Sequence, residues 1–289
     1  MFRENGVEAL ELPTIVAYTP RDRARSFVRS AFPKRRWRVV IVKDIAEFRS
    51  TLRRTLVDAV LVDIGANSST TASAGEGMIS ASAVSGLSDD TWKIAALAHE
   101  FPSAPFFGIS PLRPTDAPAV ARCAALEFSD ILAEGIDDSV AKEMVAARTF
   151  SSRFVAALAE PPASLGLKTG MQRSTWKSIL LSAGRPVRTA MLASEVGVSR
   201  EHLSRHFSAP GAPNLKRVID LVRMISAAEL AKNSGLDIRD VAKILGFASS
   251  SHLAVTAQRV LGTRPASLAR LRTIDLIERF TQGRTRSRG

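Results

Sequence analysis

The sequence predicts an α/β fold for the first half of the chain and an all-helical fold for the second half. Short apolar runs rich in β-branched residues alternate with amphipathic stretches up to about residue 160, whereas strand-like runs are absent after about residue 173. The charge divides at nearly the same place: residues 1–160 hold 19 Lys and Arg against 20 Asp and Glu, and residues 161–289 hold 21 against 8. A neutral half followed by a strongly basic half is typical of a chain whose second half meets a polyanion.

Five segments of the first half are predicted to be buried strands, because they are short, apolar and mostly β-branched or aromatic. They are residues 14–18, 39–42, 59–63, 106–110 and 130–132. Amphipathic segments that are predicted to be helices follow them at residues 22–31, 45–55, 89–101, 116–128 and 138–157. A strand followed by a helix, repeated five times, predicts a parallel sheet with helices on both faces.

The predicted domain boundaries follow from breaks in this pattern. Residues 1–160 form the α/β domain, in which residues 67–87, mostly Ser, Thr, Ala and Gly, are expected to be a loop inserted after the third strand. Two prolines and a glycine predict a linker at residues 161–173. The helical domain then covers residues 174–273, and residues 274–289 are a helix end with a basic tail.

The sequence favours a cytoplasmic protein without disulfide bonds. Its first residues carry acids and lack the apolar segment of a secretory signal. No apolar run approaches the roughly 20 residues that span a membrane. Cys123 is the single cysteine, so it cannot form a disulfide bond within the chain.

Residues 190–207 carry the pattern of a helix-turn-helix unit. The apolar residues of each of its two helices share one face. Gly197 suits the left-handed conformation that ends a first helix, and Ser199 is a good N-cap for a second helix. The polar side chains of that second helix are of the types that reach base edges and phosphates. The candidate DNA-binding residues of this unit are Ser199, Arg200, Glu201, Ser204 and Arg205.

The same layout returns at residues 237–262. Ala242 precedes Gly246 by four positions, as Ala193 precedes Gly197 in the first unit, and the turn after the glycine is one residue longer. The candidate DNA-binding residues of this second unit are Ser249, Ser250, Ser251, Gln258 and Arg259. Two such units in series, both in the basic half, predict DNA recognition much more strongly than one unit does.

A long amphipathic helix is predicted between the two units, at residues 215–233. Nineteen residues at about 1.5 Å of rise each span about 28 Å. This length is close to the ~34 Å that separates successive major-groove faces of B-DNA. We therefore expect one chain to place both recognition helices in adjacent grooves on one side of a duplex.

Residues 174–272 resemble the DNA-binding domain of the AraC/XylS transcription regulators. The resemblance rests on VSREHLSRHF in the first unit, on the joining helix, and on AKILGFASSSHL followed by QRVLGTRPASLAR in the second unit. It implies a transcription regulator that binds double-stranded DNA. In that family the second unit usually reads Phe-x-Arg-x-Phe-Lys-Arg, whereas the matching positions of this chain are Leu253, Val255, Ala257, Gln258 and Arg259. Base reading is therefore expected mainly from the first unit.

The first half resembles the receiver domain of response regulators, which has a flavodoxin-like fold. The run VDAVLVDIG carries Asp58 and Asp63 at the spacing of the third strand of receivers, and the resemblance places Asp63 at the phosphate-accepting position and Ser110 at the usual Ser or Thr. The acidic pair that holds Mg²⁺ in receivers is replaced by Tyr18-Thr19-Pro20, and Glu134 stands where a lysine is expected. Because phosphoryl transfer needs Mg²⁺ held by carboxylates, we expect a pseudo-receiver in which Asp63 does not accept phosphate. Such a domain would serve dimerisation, partner contact or the sensing of a signal.

These observations predict a sequence-specific DNA-binding transcription regulator that is not an enzyme and uses no cofactor or metal. His202 and His206 have the spacing of a zinc-binding pair, but no third ligand accompanies them in the sequence. The expected partners are double-stranded DNA, RNA polymerase and a second copy of the chain bound through the first half, and no membrane. Two alternatives stay open. One is a response regulator controlled by phosphorylation of Asp63, and the other is a protein-interaction adaptor whose helical half is a nonspecific DNA tether.

Overall fold

The computed structural model describes residues 12–65, 89–207 and 212–286, without the side chains of residues 89 and 284–286. The described chain divides into two compact units, of which one covers Leu12–Thr149 and the other begins at Phe150. The loop predicted at residues 67–87 lies outside the described residues, as does the end of the predicted basic tail.

The first unit is an α/β layer structure. Its strands are β1 (Thr14–Tyr18), β2 (Arg38–Ile41), β3 (Ala59–Asp63), β4 (Phe106–Ser110) and β5 (Asp130–Ala133). Its helices are α1 (Asp22–Ala31), α2 (Ile45–Arg54), α3 (Asp89–Ala95), α4 (Ala117–Ala125) and α5 (Asp138–Ala146). All strand pairs are parallel and the order is β2-β1-β3-β4-β5, the order of flavodoxin-like folds. The predicted receiver-like fold class is therefore confirmed.

The three central strands β1, β3 and β4 are buried on both faces, which explains their nearly continuous apolar sequences. Because side chains alternate along a strand, Ile15, Leu61 and Phe107 join the core cluster that also contains buried side chains of α1 and α5. Phe106 faces the other way, and its ring lies 6.2 Å from the ring of Phe48 on α2. Helices on both faces leave the ends of the strands as the accessible part of the sheet.

The sequence predicted one helix at residues 138–157, and this prediction is wrong. Helix α5 ends at Ala146, and a separate helix, α6 (Phe150–Leu158), belongs to the second unit. Between them the Thr149 hydroxyl donates a hydrogen bond to the Ala146 carbonyl at 3.2 Å. A side chain that bonds a nearby carbonyl in this way competes with the helical backbone ladder, so the chain turns here.

The regular elements of the second unit are all helices within its described residues, as predicted. After α6 it contains α7 (Gly170–Leu181), α8 (Thr189–Val196), α9 (Arg200–His206), α10 (Leu215–Leu230), α11 (Ile238–Ile244), α12 (Ser250–Leu261) and α13 (Thr273–Arg286). Trp176 of α7 is fully buried and donates its Nε1–H to the Leu158 carbonyl at 2.8 Å, which ties α7 to α6. The unit thus begins upstream of the linker predicted at residues 161–173.

Helix α10 forms the centre of the second unit. It is buried along most of its length and packs against α7, α11, α12 and α13. The prediction gave this helix residues 215–233, and it ends three residues earlier, at Leu230. Sixteen residues at about 1.5 Å of rise give about 24 Å. The helix therefore fixes the relative positions of the elements that precede and follow it.

Candidate nucleic-acid interface

Helices α8 and α9 form the first helix-turn-helix unit. Gly197 ends α8 with φ of +74°, and the Val198 N–H donates to the Ala193 carbonyl at 2.9 Å. The Ser199 hydroxyl oxygen then accepts a hydrogen bond from the His202 N–H at 3.1 Å and caps α9. The predicted left-handed glycine and N-cap serine are both confirmed.

Helices α11 and α12 form the second unit with the same construction. Gly246 has φ of +63°, and the Phe247 N–H donates to the Ala242 carbonyl at 2.8 Å. The Ser249 hydroxyl oxygen accepts from the His252 N–H at 3.1 Å and caps α12. The cap follows the glycine by three positions instead of two, so the longer turn predicted for this unit is also confirmed.

The exposed face of α9 presents two guanidinium groups. Arg200 and Arg205 are exposed, as is Glu201, and Ser204 is partly exposed. Among the described residues neither arginine forms an ion pair. An unpaired guanidinium on a recognition helix keeps all of its donors for a bidentate contact with guanine or for a phosphate.

The exposed face of α12 presents fewer groups that can hydrogen-bond to DNA than the exposed face of α9 does. Val255 is 65% exposed, more than any other large hydrophobic residue in the described chain. Gln258 and Ser251 are exposed beside it, and Ser250 is partly exposed. Arg259 is also exposed, but its Nη2 lies 2.8 Å from Asp220 Oδ2 on α10. This helix therefore offers one amide and small hydroxyls to base edges, and its arginine is engaged by a carboxylate.

Two side chains that the sequence analysis did not single out hold the units in place. The Gln172 amide of α7 donates to the His206 carbonyl at the end of α9, at 3.0 Å. The Arg223 guanidinium of α10 donates to the Leu245 carbonyl at the end of α11, at 2.8 Å, and lies 3.6 Å from the centroid of the Phe247 ring. Burial lowers the pKa of Arg223, and the charge of Asp220 opposes this effect. The sequence signal that could have indicated this role is the position of Arg223, a charged residue on the otherwise apolar stripe of α10.

The carboxyl edge of the sheet in the first unit contains a buried ion cluster. Asp63, at the end of β3, has a fully buried side chain, and both of its oxygens accept hydrogen bonds from Arg21 Nε, at 2.9 and 3.0 Å. Arg21 Nη2 also binds both Asp63 and Glu134, and Arg23 Nε lies 3.0 Å from Glu134 Oε2. A Cβ atom on Gly65 would lie 2.3 Å from the Arg21 guanidinium, so the arginine fits closely against the backbone. The guanidinium of Arg21 therefore lies between the carboxylates of Asp63 and Glu134 and binds both.

The pKa values at this edge reflect the same packing. Burial raises the pKa of Asp63, and the hydrogen bonds and charge of Arg21 partly offset that rise. Burial lowers the pKa of Arg21, but its bonds to Asp63 and the charges of Asp63 and Glu134 outweigh burial and raise it. Ser110 has a separate role, because its hydroxyl donates to Asp116 at 3.0 Å and accepts from the Leu112 N–H at 2.9 Å. Asp58 lies at the start of β3, where it accepts from the Thr14 N–H at 2.8 Å.

The parts of the chain that the structure describes contain no group of three or more His, Cys, Asp or Glu side chains placed to hold a metal ion. The rings of His202 and His206 lie 5.0 Å apart on α9. Within residues 12–65, 89–207 and 212–286, no helix has both the length and the apolar character that crossing a lipid bilayer requires.

Comparison with known proteins identifies the nature of the second unit. A family model described as a helix-turn-helix domain matches residues 192–270, from within α8 to the end of the 3₁₀ turn at Pro265–Arg270. The match confirms an AraC-type helix-turn-helix domain, and it supports DNA binding and transcription regulation. No curated protein matches the chain. Full-length FixJ from B. japonicum is 11% identical to this chain, with coverage of 85% of this chain and 96% of that chain and a TM-score of 0.36.

Proposed function

We propose that the protein is a sequence-specific regulator of transcription that reads double-stranded DNA mainly through α9 and is not an enzyme. The observation that carries the proposal is the pairing of two capped helix-turn-helix units on one joining helix, with two unpaired arginines on the first recognition helix. Arginine is the side chain that pairs bidentately with guanine, at roughly 1–3 kcal/mol of discrimination per good contact.

The second recognition helix is proposed to position the protein more than to specify sequence. Gln258 offers a bidentate amide that suits adenine, and Val255 can touch a thymine methyl group. Ser250 and Ser251 lie in the first turn of α12, where exposed hydroxyl and N–H groups suit phosphate oxygens. Contacts of this kind set the register of a protein on DNA without selecting bases.

The α/β unit, Leu12–Thr149, is proposed to work without phosphorylation of Asp63. A carboxylate that attacks a phosphoryl group needs a free oxygen and a divalent cation to neutralise the developing charge. Both oxygens of Asp63 accept hydrogen bonds from Arg21, and the same guanidinium neutralises Glu134. Three expectations from the sequence stay predictions. They are dimerisation through the α/β unit, a contact of the protein with RNA polymerase, and a cytoplasmic location.

The proposal is tested by selecting bound sequences from a random DNA pool with the full-length protein, followed by titration of the preferred site at several salt concentrations. A regulator yields an enriched motif, and four to eight phosphate contacts would give a slope of log K against log salt of about −4 to −7. Binding without any enriched motif would contradict sequence-specific reading and favour the adaptor with a nonspecific tether. No binding at low salt would overturn DNA binding itself.

Variants of single arginines sharpen the test. Arg205→Ala is expected to cost about 1–3 kcal/mol on the preferred site and to relax preference at one or two base pairs. Arg173→Ala removes an exposed arginine from α7 and serves as the matched control for charge, with little effect on preference. Gln258→Ala is expected to do less than Arg205→Ala. If Gln258→Ala abolishes discrimination between base pairs while Arg200→Ala and Arg205→Ala retain it, the second helix-turn-helix unit is the one that reads the bases.

A further inference from the structure

A carboxylate lies among several basic side chains where α10 meets α12. Asp220 is on α10, its side chain is 11% exposed, and its Oδ2 lies 2.8 Å from Nη2 of Arg259 on α12. Lys216, Arg223 and His252 also act on Asp220 through their charges. Basic side chains therefore outnumber the acid at the flank of the second recognition helix.

The two partners of this ion pair differ sharply in exposure. The Arg259 side chain is 56% exposed, whereas its carboxylate partner is nearly buried. One nitrogen of Arg259 holds Asp220, and its other nitrogens have no protein partner among the described residues. A guanidinium carries five N–H donors in a rigid plane, so most of the Arg259 donors are left without a protein partner in the described part of the chain. The nearly buried acid holds one end of the guanidinium and leaves its other donors available for a second acceptor.

We propose that Asp220 is a positioning residue that orients Arg259 to grip a DNA backbone phosphate beside α12. The inference rests on the DNA binding proposed above and adds a contact that carries affinity without sequence preference. A phosphate fits better than a base edge, because Arg259 is drawn toward α10 while Val255 and Gln258 occupy the face of α12. Arg223 is not available for such a contact, since it holds the Leu245 carbonyl. Lys216 is exposed and adds positive charge at the same flank, and the exposed His252 lies beside it.

The test measures the salt dependence of DNA binding for full-length wild type, Asp220→Ala, Arg259→Ala and the double variant, on the preferred site and on a scrambled duplex. Arg259→Ala is expected to weaken both duplexes alike and to reduce the salt slope by about 1. Asp220→Ala is expected to reduce the slope in the same direction, although it removes a negative charge that repels DNA. The double variant is expected to bind no more weakly than Arg259→Ala alone.

Asp275→Ala is the matched control, because it removes a carboxylate that pairs with Arg272 on α13 and leaves Arg259 untouched. It should leave the salt slope unchanged. If Asp220→Ala fails to fold by circular dichroism, Asp220→Asn keeps the size of the side chain and replaces it in the series. Tighter binding by the Asp220 variant with an unchanged slope would overturn the inference, because Asp220 would then only repel DNA. An unchanged slope in Arg259→Ala would also overturn it, whereas absence of binding by wild type would overturn the proposed function itself.

Discussion

Replacing Arg21 by methionine tests whether the buried ion cluster of the first unit is a structural feature. The change leaves Asp63, fully buried, without its cation, while Glu134 keeps Arg23. Removing one partner of a buried ion pair costs about 3–5 kcal/mol, because an uncompensated charge is left behind. Asp63 retains the N–H groups of residue 21 and Gly65, each at 3.2 Å. We therefore expect a loss near the lower limit, about 3 kcal/mol of the free energy of unfolding at pH 7.

The loss should depend on pH in a definite direction. Burial raises the pKa of Asp63 and Arg21 opposes that rise, so removing Arg21 raises this pKa further. An acid with a higher pKa in the folded than in the unfolded chain stabilises the fold fully below its unfolded pKa, and this contribution disappears as the pH rises through the folded pKa. The deficit of Arg21→Met should therefore be largest above the raised folded pKa of Asp63 and should shrink as the pH falls through it toward the unfolded pKa of about 3.9.

The measurement is urea unfolding at several pH values, followed by tryptophan fluorescence in a Trp176→Phe background, so that the signal comes from Trp37 and Trp92 of the first unit. Arg49→Met is the matched control in this unit. The Arg49 and Glu100 side chains are 43% and 36% exposed, and breaking such a pair should cost at most about 1 kcal/mol.

Adding Asp63→Asn and Glu134→Gln to Arg21→Met should recover much of the loss, because no unpaired charge then remains buried. A deficit in Arg21→Met below that of the Arg49 control would refute the reasoning. So would a deficit that does not change with pH.

Three further predictions concern single residues. Incubation of the intact protein with Mg²⁺ and a small phosphodonor should leave its mass unchanged, and a stoichiometric gain of one phosphate that Asp63→Asn abolishes would prove this wrong. In thermal unfolding, Gly246→Ala should destabilise the helical unit from Phe150 more than Gly262→Ala does. Both positions have a left-handed backbone, which costs an alanine about 1–2 kcal/mol, but only the added Cβ at Gly246 meets Pro186, at 3.1 Å. Equal losses of stability would contradict this packing argument. Burial raises the pKa of Cys123 to about 12, so a thiol reagent at pH 8 should label it only after unfolding in urea, and rapid labelling of the native protein would count against its burial.

The sequence predicted what depends on neighbouring residues. Strand runs such as residues 59–63 carry their own periodicity, and the turn at Gly197 and the cap at Ser199 depend on positions within one helical hairpin. Elements of this kind could be placed within one or two residues. The broken helix after Ala146 was missed because its signal is one threonine hydroxyl.

The ion pairs could not be predicted, because they join distant positions in the chain. Arg21 and Glu134 are 113 residues apart and meet because β1 and β5 end at the same edge of the sheet. The sequence showed an acid where receivers have a lysine, and it showed missing acids near Arg21, but it did not show that the two changes compensate each other. Asp220 and Arg259 are 39 residues apart and depend on the crossing of two helices in the same way. For this reason the sequence predicts a DNA contact for Arg259 but not its carboxylate partner.

Helix α10 also determines how the protein would tolerate variation in its target. It joins the two helix-turn-helix units as one continuous helix, and Arg223 fastens its side to the end of α11. A duplex rotates by about 35° for each base pair, so inserting one base pair between the two contacted segments turns one groove away from its recognition helix. A flexible connector between the two helix-turn-helix units could rotate to follow the moved groove. A packed helix cannot, so the DNA itself would have to twist for both units to stay bound. The backbone contacts of α12 should therefore fall at one fixed distance from the base pairs that α9 reads, whatever bases lie between them.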